Sequence, residues 1–358
     1  MRARRFITAA TMVVAANLLA ASQPAVPDAF YSGNLADGRA LQLLLCLSGK
    51  ERAAFVQLEG NPYSIRLDLK TNTAQRIEFD CGLYSEAERW SVTGLTVTPA
   101  SLPTTASGHL VIGKTAGGAA FTATNVAMLE QFSRKRGGRV AGRGGGKAFS
   151  ATWPAFHDGV PLHESLSKRF AAEAKGAVGS FTSDAYAIMW EGLKDGGASW
   201  SWEGSLEVRI VWLATNLISL CELRFEYTGG AHGNAAFVGR NFVLEGGKAR
   251  EFKLPELFRP GVNWTNALSA LCLPELRRQK AAWTLPDALE SAQVKGFTAD
   301  DLASFNVDGS GLIIHFADYA VGPHAEGLFS VLIPWKELET ILQPGSPAAL
   351  LPRQTPAP

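Results

Sequence analysis

Short runs of alternating hydrophobic and polar residues fill residues 28–130. Segments such as RALQLLLCL, YSIRLDLK and GHLVIG alternate with turn sequences such as GNP and KTNT. Strands this short, at regular spacing and separated by Gly, Pro and Asn, are typical of an antiparallel barrel or sandwich. We therefore predict an all-β barrel or sandwich over residues 28–130.

A different pattern follows over residues 150–343. The segment LHESLSKRFAAEAKGAVGSF predicts an amphipathic helix, because its large apolar residues recur at a spacing of four: Leu162, Leu166, Phe170 and Ala174. The strands GSLEVRIVWLA and NLISLCELRFEY follow, then a helix in NWTNALSALCLPELRRQ and a hairpin in SFNVDGSGLIIHF, whose Asp-Gly marks the turn. Strands and helices come in blocks, so the fold class is α+β. We predict a mixed domain with an antiparallel sheet and packed helices.

Two segments lack the pattern of a packed element. The stretch SRKRGGRVAGRGGGKA carries six basic residues, six glycines and no acid. Glycine and like charge both oppose packing, so residues 131–149 are predicted to be a flexible linker. The alternative is a basic arm that binds an anionic polymer. The proline-rich residues 344–358 are predicted to be a disordered tail.

The first residues have the pattern of an export signal. Three arginines precede an apolar stretch from Phe6 to Ala21, which is followed by small residues. That stretch is shorter than the roughly 20 residues of a membrane-spanning helix. We predict a signal peptide over residues 1–22, no membrane segment after its removal, and a periplasmic or secreted protein.

The cysteines of an exported protein can form disulfides, because the compartment outside the cytoplasm is oxidising. The chain has four: Cys46, Cys81, Cys221 and Cys272. Three pairings are possible, and the local pairs Cys46–Cys81 and Cys221–Cys272 are favoured because each falls inside one predicted domain. The alternative is four unpaired buried thiols. Metal binding by cysteine is disfavoured because no two are spaced as C-x-x-C.

Composition and motif searches exclude several functional classes. The net charge of +1 argues against a dedicated nucleic-acid binder, and 46% hydrophobic residues provide ample core. The sequence contains no H-E-x-x-H, no G-x-S-x-G and no dinucleotide fingerprint. We therefore predict no cofactor, no metal and no assigned catalytic residue.

Two glycine-containing loops remain as candidate sites, and both adjoin strong strands. The polar and glycine residues of interest are Tyr227, Gly229, Gly230, His232 and Asn234 in the first loop, and Asp318, Tyr319, His324 and Glu326 in the second. One interpretation is two turns whose His and Tyr side chains bond locally. The other is a single concave polar site formed by both loops, since glycine permits close backbone approach.

The same segments resemble the RsiV/PdaC-type C-terminal domain over about residues 150–343. The resemblance rests on three blocks in order: YTGGAHGN, NFVLEGGKAREFKLPELF and GLIIHFADYAVGPHAEGLFSVLIPWKELETIL. It implies a mixed α+β fold outside the cytoplasm and, in the sensor branch, binding of lysozyme. It also implies that the loop residues of the family are Gly229, Gly230, His232, Gly233, Tyr319, Gly322, Pro323 and Gly327. The family usually has Pro-Tyr where this chain has Pro323-His324.

The resemblance does not extend to every role of the family. The sequence shows no transmembrane helix with a sigma-binding segment and no deacetylase domain, so neither activity is implied. We favour an exported cell-envelope protein that binds a lysozyme-like protein or peptidoglycan. The alternatives are a hydrolase or deacetylase-like enzyme acting on wall polysaccharide, with His232 and Asp318 or Glu326 as acid and base, and a structural or interaction module.

Overall fold

The structure, a computed structural model, describes residues 28–47, 52–73, 76–81, 89–97, 105–113, 118–140, 143–194 and 200–352. The predicted signal peptide and residues 353–358 of the predicted tail lie outside these ranges. Within the described part of the chain, no helix is both long and apolar enough to span a membrane.

Eight antiparallel strands close into a barrel in the N-terminal part of the described chain. Their bounds are β1 Ala29–Leu35, β2 Ala40–Cys46, β3 Ala53–Leu58, β4 Ile65–Thr73, β5 Arg76–Asp80, β6 Trp90–Val97, β7 Thr105–Ile112 and β8 Ala119–Val140. Each strand pairs with the next, and β1 also pairs with β8, which closes the barrel. Its core contains Tyr31, Phe79 and Phe121 among aliphatic side chains. Of the two predicted architectures, the barrel is the one observed.

The predicted linker is instead the outer part of a β-hairpin. Strand β8 continues past the barrel and pairs with β9, Arg143–Phe156, in a ladder that reaches Val140↔Arg143. The composition of residues 131–149 suggested flexibility because glycines and like charges do not build a core. The backbone ladder needs no core-forming side chain, however, and it pairs Gly137 with Gly146 and Gly138 with Gly145.

The sheet continues beyond the barrel without interruption. Strands β9 and β10 are parallel and are joined by α1, while β10 to β13 are antiparallel, so β1 to β13 form one thirteen-stranded sheet in sequence order. The bounds are α1 Pro161–Lys194, β10 Trp200–Leu213, β11 Leu217–Tyr227, β12 Asn234–Glu245 and β13 Lys248–Glu251. The predicted apolar face of α1 is confirmed, since all four of its spaced residues are buried against this sheet.

A second, three-stranded sheet packs with the remaining helices. Its strands are β14 Phe305–Val307, β15 Gly311–Phe316 and β16 Phe329–Pro334, and the helices are α2 Trp264–Arg278 and α3 Trp335–Leu338. Residues of α2, α3 and the second sheet share one core with Trp212, Leu217 and Val243 of the large sheet. The predicted hairpin is confirmed as β14 and β15, and the second predicted helix as α2.

The predicted disordered tail packs onto this core along most of its described length. A single 3-10 turn, Pro347–Leu350, follows α3, and both Ala348 and Leu351 are buried. Gln343 donates its backbone N–H to the Leu257 carbonyl at 2.8 Å, just before that turn. Proline-rich composition therefore did not preclude packing, because the interspersed Ala and Leu reach the core.

The predicted disulfides are absent, and all four cysteines are free thiols. Cys81 lies in the barrel core, whereas Cys46 packs against the separate cluster beneath α1, so the two side chains leave the sheet on different sides. Cys272 is buried on α2 in the C-terminal core, of which Cys221 is not a member. Burial raises the pKa of Cys46, Cys221 and Cys272 to about 12, which keeps these thiols protonated.

Buried polar side chains join the two sheets. Asn306 donates to the Ser219 hydroxyl at 2.8 Å, Ser219 donates to Asn241 Oδ1 at 2.7 Å, and Asn241 donates to the Phe305 carbonyl at 2.7 Å. The backbones also approach closely, since a Cβ on Gly239 would stand 1.7 Å from the Phe305 carbonyl oxygen. The hydrogen bonds and the glycine together set one position of β12 against β14.

His315 extends this network as a neutral imidazole. Its Nε2 lies 2.8 Å from Asn306 Oδ1, which can only accept, so Nε2 carries the proton and Nδ1 accepts from the Ser330 hydroxyl at 2.8 Å. Burial lowers the pKa of His315 from 6.5 to about 3. The imidazole therefore stays uncharged in the folded protein at neutral pH.

The barrel is attached to the second sheet through Asp308, in the β14–β15 turn. Its carboxylate accepts the backbone N–H of Gly60 from the barrel at 2.9 Å, and those of Ser310 and Gly311 within its own turn. Burial, with the charge of Glu59 acting in the same direction, raises the pKa of Asp308 from 3.8 to about 6. The carboxyl thus ionises in the fold only at a higher pH than in the unfolded chain.

Asp308 and His315 should make the free energy of unfolding change with pH in opposite directions. The contribution of Asp308 is fully present below pH 3.8 and is lost as the pH rises through about 6. The contribution of His315 is fully present above pH 6.5 and is lost as the pH falls through about 3. The unfolding free energy of the wild type minus that of Asp308→Asn should fall with pH, and the difference for His315→Gln should rise. Urea unfolding across this range measures both, and slopes of the same sign would contradict the assignment.

Gly239 should tolerate no side chain. Gly239→Ala should destabilise the fold by about 1–3 kcal/mol, because its methyl group meets the Phe305 backbone and must force the sheets apart. The matched control is Gly176→Ala on α1, where nothing lies within 4 Å of the added atom. That variant should be more stable than wild type by about 0.5–1 kcal/mol. Urea unfolding of the pair gives the comparison, and similar stabilities would show that the close approach is not tight.

Candidate functional site

The two glycine-containing loops meet at one end of the stacked sheets. One loop, residues 228–233, joins β11 to β12, and the other, residues 317–328, joins β15 to β16. The Tyr319 hydroxyl lies 2.9 Å from His232 Nε2, and the rings of His232 and His324 stack with centroids 3.7 Å apart at 12°. Side chains separated by almost ninety positions in the sequence thus form one cluster.

The hydrogen bonds of His232 are consistent with a neutral ring that accepts from tyrosine. Its Nδ1 lies 3.2 Å from the Gly233 carbonyl oxygen, which can only accept, so that nitrogen carries the proton. Nε2 is then the acceptor for the Tyr319 hydroxyl. Both ring nitrogens are occupied, while the residue itself is exposed to solvent.

Asp318 ties the second loop to the start of β12. Its side chain is only 6% exposed, and Oδ2 accepts the Ala235 backbone N–H at 2.9 Å. The same oxygen lies 3.1 Å from His324 Nδ1, close enough for an ion pair but out of line for a hydrogen bond. Asp318 therefore positions both the backbone of the first loop and the ring that stacks on His232.

Tyr319 occupies a strained backbone position. Its φ is +63°, in the left-handed region that side chains rarely adopt, yet its side chain is 49% exposed. The centroid of the Trp283 ring lies 6.4 Å from that of the Tyr319 ring, and the centroid of the His324 ring lies 5.9 Å from it. The four rings of Trp283, Tyr319, His324 and His232 form a connected row, which we call the ring row.

The other predicted site residues lie outside the ring row. Tyr227 donates its hydroxyl to the Gly230 carbonyl at 3.0 Å and closes its own loop, in which Gly229 and Gly230 have positive φ values. Asn234 is exposed and pairs through its backbone with Glu226. The Glu326 carboxylate accepts the Ala282 backbone N–H at 3.0 Å. Their assignment as binding residues stays a prediction.

The contacts that the structure describes for His232 do not include either carboxylate that the sequence paired with it as acid and base. His232 contacts Tyr319 and the Gly233 carbonyl, while Asp318 lies beside His324 and Glu326 faces the Ala282 backbone. Among the described residues, no group of three or more His, Cys, Asp or Glu is placed to hold a metal ion. The ring row is a surface of aromatic faces and edges, with a few polar atoms held in fixed positions.

Two residues of this cluster could not be identified from the sequence motifs of the two loops. Trp283 comes from a 3-10 turn, Ala282–Thr284, far from either loop in sequence, and Ala235 contributes only its backbone. The backbone N–H of Trp283 donates to the Val321 carbonyl at 3.0 Å, which holds this turn against the second loop. Contacts between the 3-10 turn and the second loop therefore bring the indole to Tyr319.

A separate cleft of about 300 Å³ lies on the outer face of the barrel. Its charged lining residues are two cations, Lys70 and Arg89, and two acids, Glu78 and Asp80, and both cations pair with Asp80. The Arg89 bonds hold the pKa of the Asp80 carboxyl below its usual value. Because these charges compensate one another, the cleft presents no strong field to a ligand.

Comparison with known proteins identifies one domain family. Residues 255–336 match the family DUF3298, described as a protein of unknown function. This span includes Trp283, Tyr319 and His324 and leaves out His232. No curated protein matches the chain.

Two solved structures are similar to this chain. A member of the DUF3298 family from Bacteroides fragilis has 23% sequence identity and a TM-score of 0.45, covering 61% of this chain and 95% of its own. A DUF3298 family protein from Pseudomonas aeruginosa has 16% identity and a TM-score of 0.40, covering the same shares of the two chains.

Removing the Asp318 carboxylate should loosen the contact between the loops. Asp318→Ala should cost about 1–3 kcal/mol of unfolding free energy, because the Ala235 N–H loses its acceptor and His324 its partner. Asp287→Ala, at an exposed position of another loop, is the control and should change stability by less than about 0.5 kcal/mol. Urea unfolding measures both variants, and equal stabilities would show that Asp318 does not hold the loop.

Proposed function

We propose that this chain is an exported binding protein of the bacterial cell envelope, and that the ring row recognises the glycan strand of peptidoglycan. The single observation that carries the proposal is the row itself: four rings from three separate segments, with Tyr319 half exposed at its centre. Aromatic side chains held at a surface bind by burying large apolar area while their polar edges remain available for hydrogen bonds.

The chemistry of the row suits a sugar chain. Pyranose rings present C–H faces that pack on aromatic faces, and hydroxyl and amide groups that need hydrogen-bond partners. Tyr319 and His232 contribute both kinds of contact, since their rings are fixed by a mutual bond and their remaining surfaces face solvent. The strained φ of Tyr319 supports the same conclusion, because strain is retained where a side chain must be held in one orientation.

Export and an envelope location rest on the sequence. The basic residues and apolar stretch of residues 1–22 have the pattern of a signal peptide. The resemblance to the RsiV/PdaC-type domain supports the same location, because members of that family act outside the cytoplasm on the wall or on enzymes that attack it. In that likeness the sensor branch binds lysozyme, so a lysozyme-like protein is the partner to be tested beside the wall.

Binding to insoluble peptidoglycan tests the proposal. The full chain should sediment with purified peptidoglycan, and His232→Ala and Tyr319→Ala should each bind about tenfold more weakly, equivalent to about 1.4 kcal/mol. His109→Ala is the matched control, because it removes an exposed histidine from β7 of the barrel and should bind as wild type does.

The same variants should be tested with immobilised lysozyme. Retention of lysozyme that depends on His232 and Tyr319, without sedimentation with the wall, would reassign the surface to a protein partner. Failure to bind either probe, or equal losses in all three variants, would overturn the proposal.

A further inference from the structure

The loop between β3 and β4 of the barrel, residues 59–64, contacts the second sheet, and we call it the docking loop. The hydroxyl of Tyr63 in this loop accepts the backbone N–H of Ser330, in β16, at 2.8 Å. Burial raises the pKa of the Tyr63 phenol above its usual value, so the hydroxyl keeps its proton at neutral pH. Tyr63 is thus a polar contact from the barrel to the second sheet that is separate from the contact through Asp308.

Ser330 depends on side chains from outside its sheet for its backbone hydrogen bonds. Strand β16 lies at the edge of the three-stranded sheet, and Ser330 is fully buried. Its N–H donates to Tyr63, and its carbonyl accepts the side chain of Gln279, which follows α2, at 3.0 Å. Because Ser330 is shielded from solvent, removal of the Tyr63 hydroxyl leaves this N–H without an acceptor.

Ser330 also forms the base of the second loop. It is the register partner of His315 across β15 and β16, and residues 317–328 connect these two strands. The Ser330 hydroxyl donates to His315 Nδ1 at 2.8 Å, and this bond closes the base of the loop. The N–H that Tyr63 accepts therefore belongs to a residue that fixes where the second loop leaves the sheet.

The ring row is sensitive to the position of that base. Tyr319 keeps a φ of +63° on a half-exposed side chain, and such strain persists only where the surrounding structure fixes it. The His324 ring stacks on His232 of the first loop at 3.7 Å, and a gap of about 1 Å forfeits up to about half of the energy of such contacts. A displacement of β16 would therefore separate the rings.

We propose that the barrel positions the ring row through Tyr63. The contacts described for Tyr63 are with Ser330, Gln279 and its own loop and include none of the rings, so it acts as a positioning residue. The path is continuous, from the hydroxyl to Ser330 and along the second loop to Tyr319. Its consequence for glycan binding rests on the proposed function, whereas the positions of the rings can be measured without a ligand.

The competing explanation is that Tyr63 only stabilises the joint between the barrel and the second sheet. Both explanations predict that loss of the hydroxyl lowers the free energy of unfolding, since a buried N–H loses its acceptor. They differ in the protein that remains folded. Only a positioning role changes the ring row there.

The side-chain NMR signals of the six histidines report the positions of the rings, because they respond to neighbouring aromatic groups. In Tyr63→Phe, which removes only the hydroxyl, the signals of His232 and His324 should move. The signal of His109, exposed on β7 of the barrel, should stay in place. The signal of His315 should move under either explanation, because this residue is bonded to Ser330.

Binding to insoluble peptidoglycan measures the consequence for the proposed function. Tyr63→Phe should bind about fivefold more weakly than wild type, at the lower end of the usual coupling between sites. The control is Val92→Ala, which destabilises the barrel from the core of β6, away from the docking loop. It should lower the urea midpoint as Tyr63→Phe does and leave both the ring signals and the binding unchanged.

Asn61→Ala is a milder second variant. The Asn61 side chain accepts the Tyr63 backbone N–H at 3.1 Å, so its removal frees the docking loop but keeps the hydroxyl. The signals of His232 and His324 should move in the same direction as in Tyr63→Phe and by less. This variant decides the question if Tyr63→Phe does not fold.

Unmoved signals of His232 and His324 in the folded variants, or equal movements in Val92→Ala, would show that Tyr63 only stabilises the joint. Moved signals with unchanged binding would show that the position of the rings does not govern recognition. If wild type does not sediment with peptidoglycan while the signals move as expected, the proposed function fails and positioning by the barrel stands.

Discussion

The stacking of the two sheets through buried polar groups is the constraint on which the rest of the structure depends. Ser219, Asn241 and Asn306 are all buried and bonded to one another across the interface. A slip of either sheet by one residue would leave several of these groups without partners, at a cost of about 1–3 kcal/mol each. The interface is therefore specific in position, whereas apolar packing alone would tolerate several arrangements.

That specificity decides where the loops lie. The first loop ends β11 and begins β12, and the second follows β15, so the relative position of the two sheets sets the distance between them. With Asn241 and Gly239 holding β12 against β14, the Tyr319 hydroxyl comes within 2.9 Å of His232. A surface cluster whose rings lie on loops is thus positioned by hydrogen bonds buried several residues away.

Strand β8 links the two ends of the molecule in a comparable way. Its first half closes the barrel with β1, and its second half opens the hairpin that leads into α1 and the larger sheet. The barrel is attached again through Asp308, whose carboxylate accepts the Gly60 N–H. The barrel and the C-terminal part consequently share a continuous sheet and a buried polar contact, and the outer part of the β8–β9 hairpin extends from the strand they have in common.

The sequence by itself determined the elements with a clear hydrophobic period. The barrel strands, the buried face of α1 and the β14–β15 hairpin follow from local alternation, spacing and turn chemistry, which the chain carries in any context. The composition of residues 131–149 and the cysteine count led to a linker and two disulfides that the structure does not contain. Both errors have one cause, because strand pairing and the side of the sheet on which Cys46 and Cys81 lie depend on distant residues. The ring row was decided by tertiary structure for the same reason: Trp283, His232 and Tyr319 meet only once the sheets have stacked.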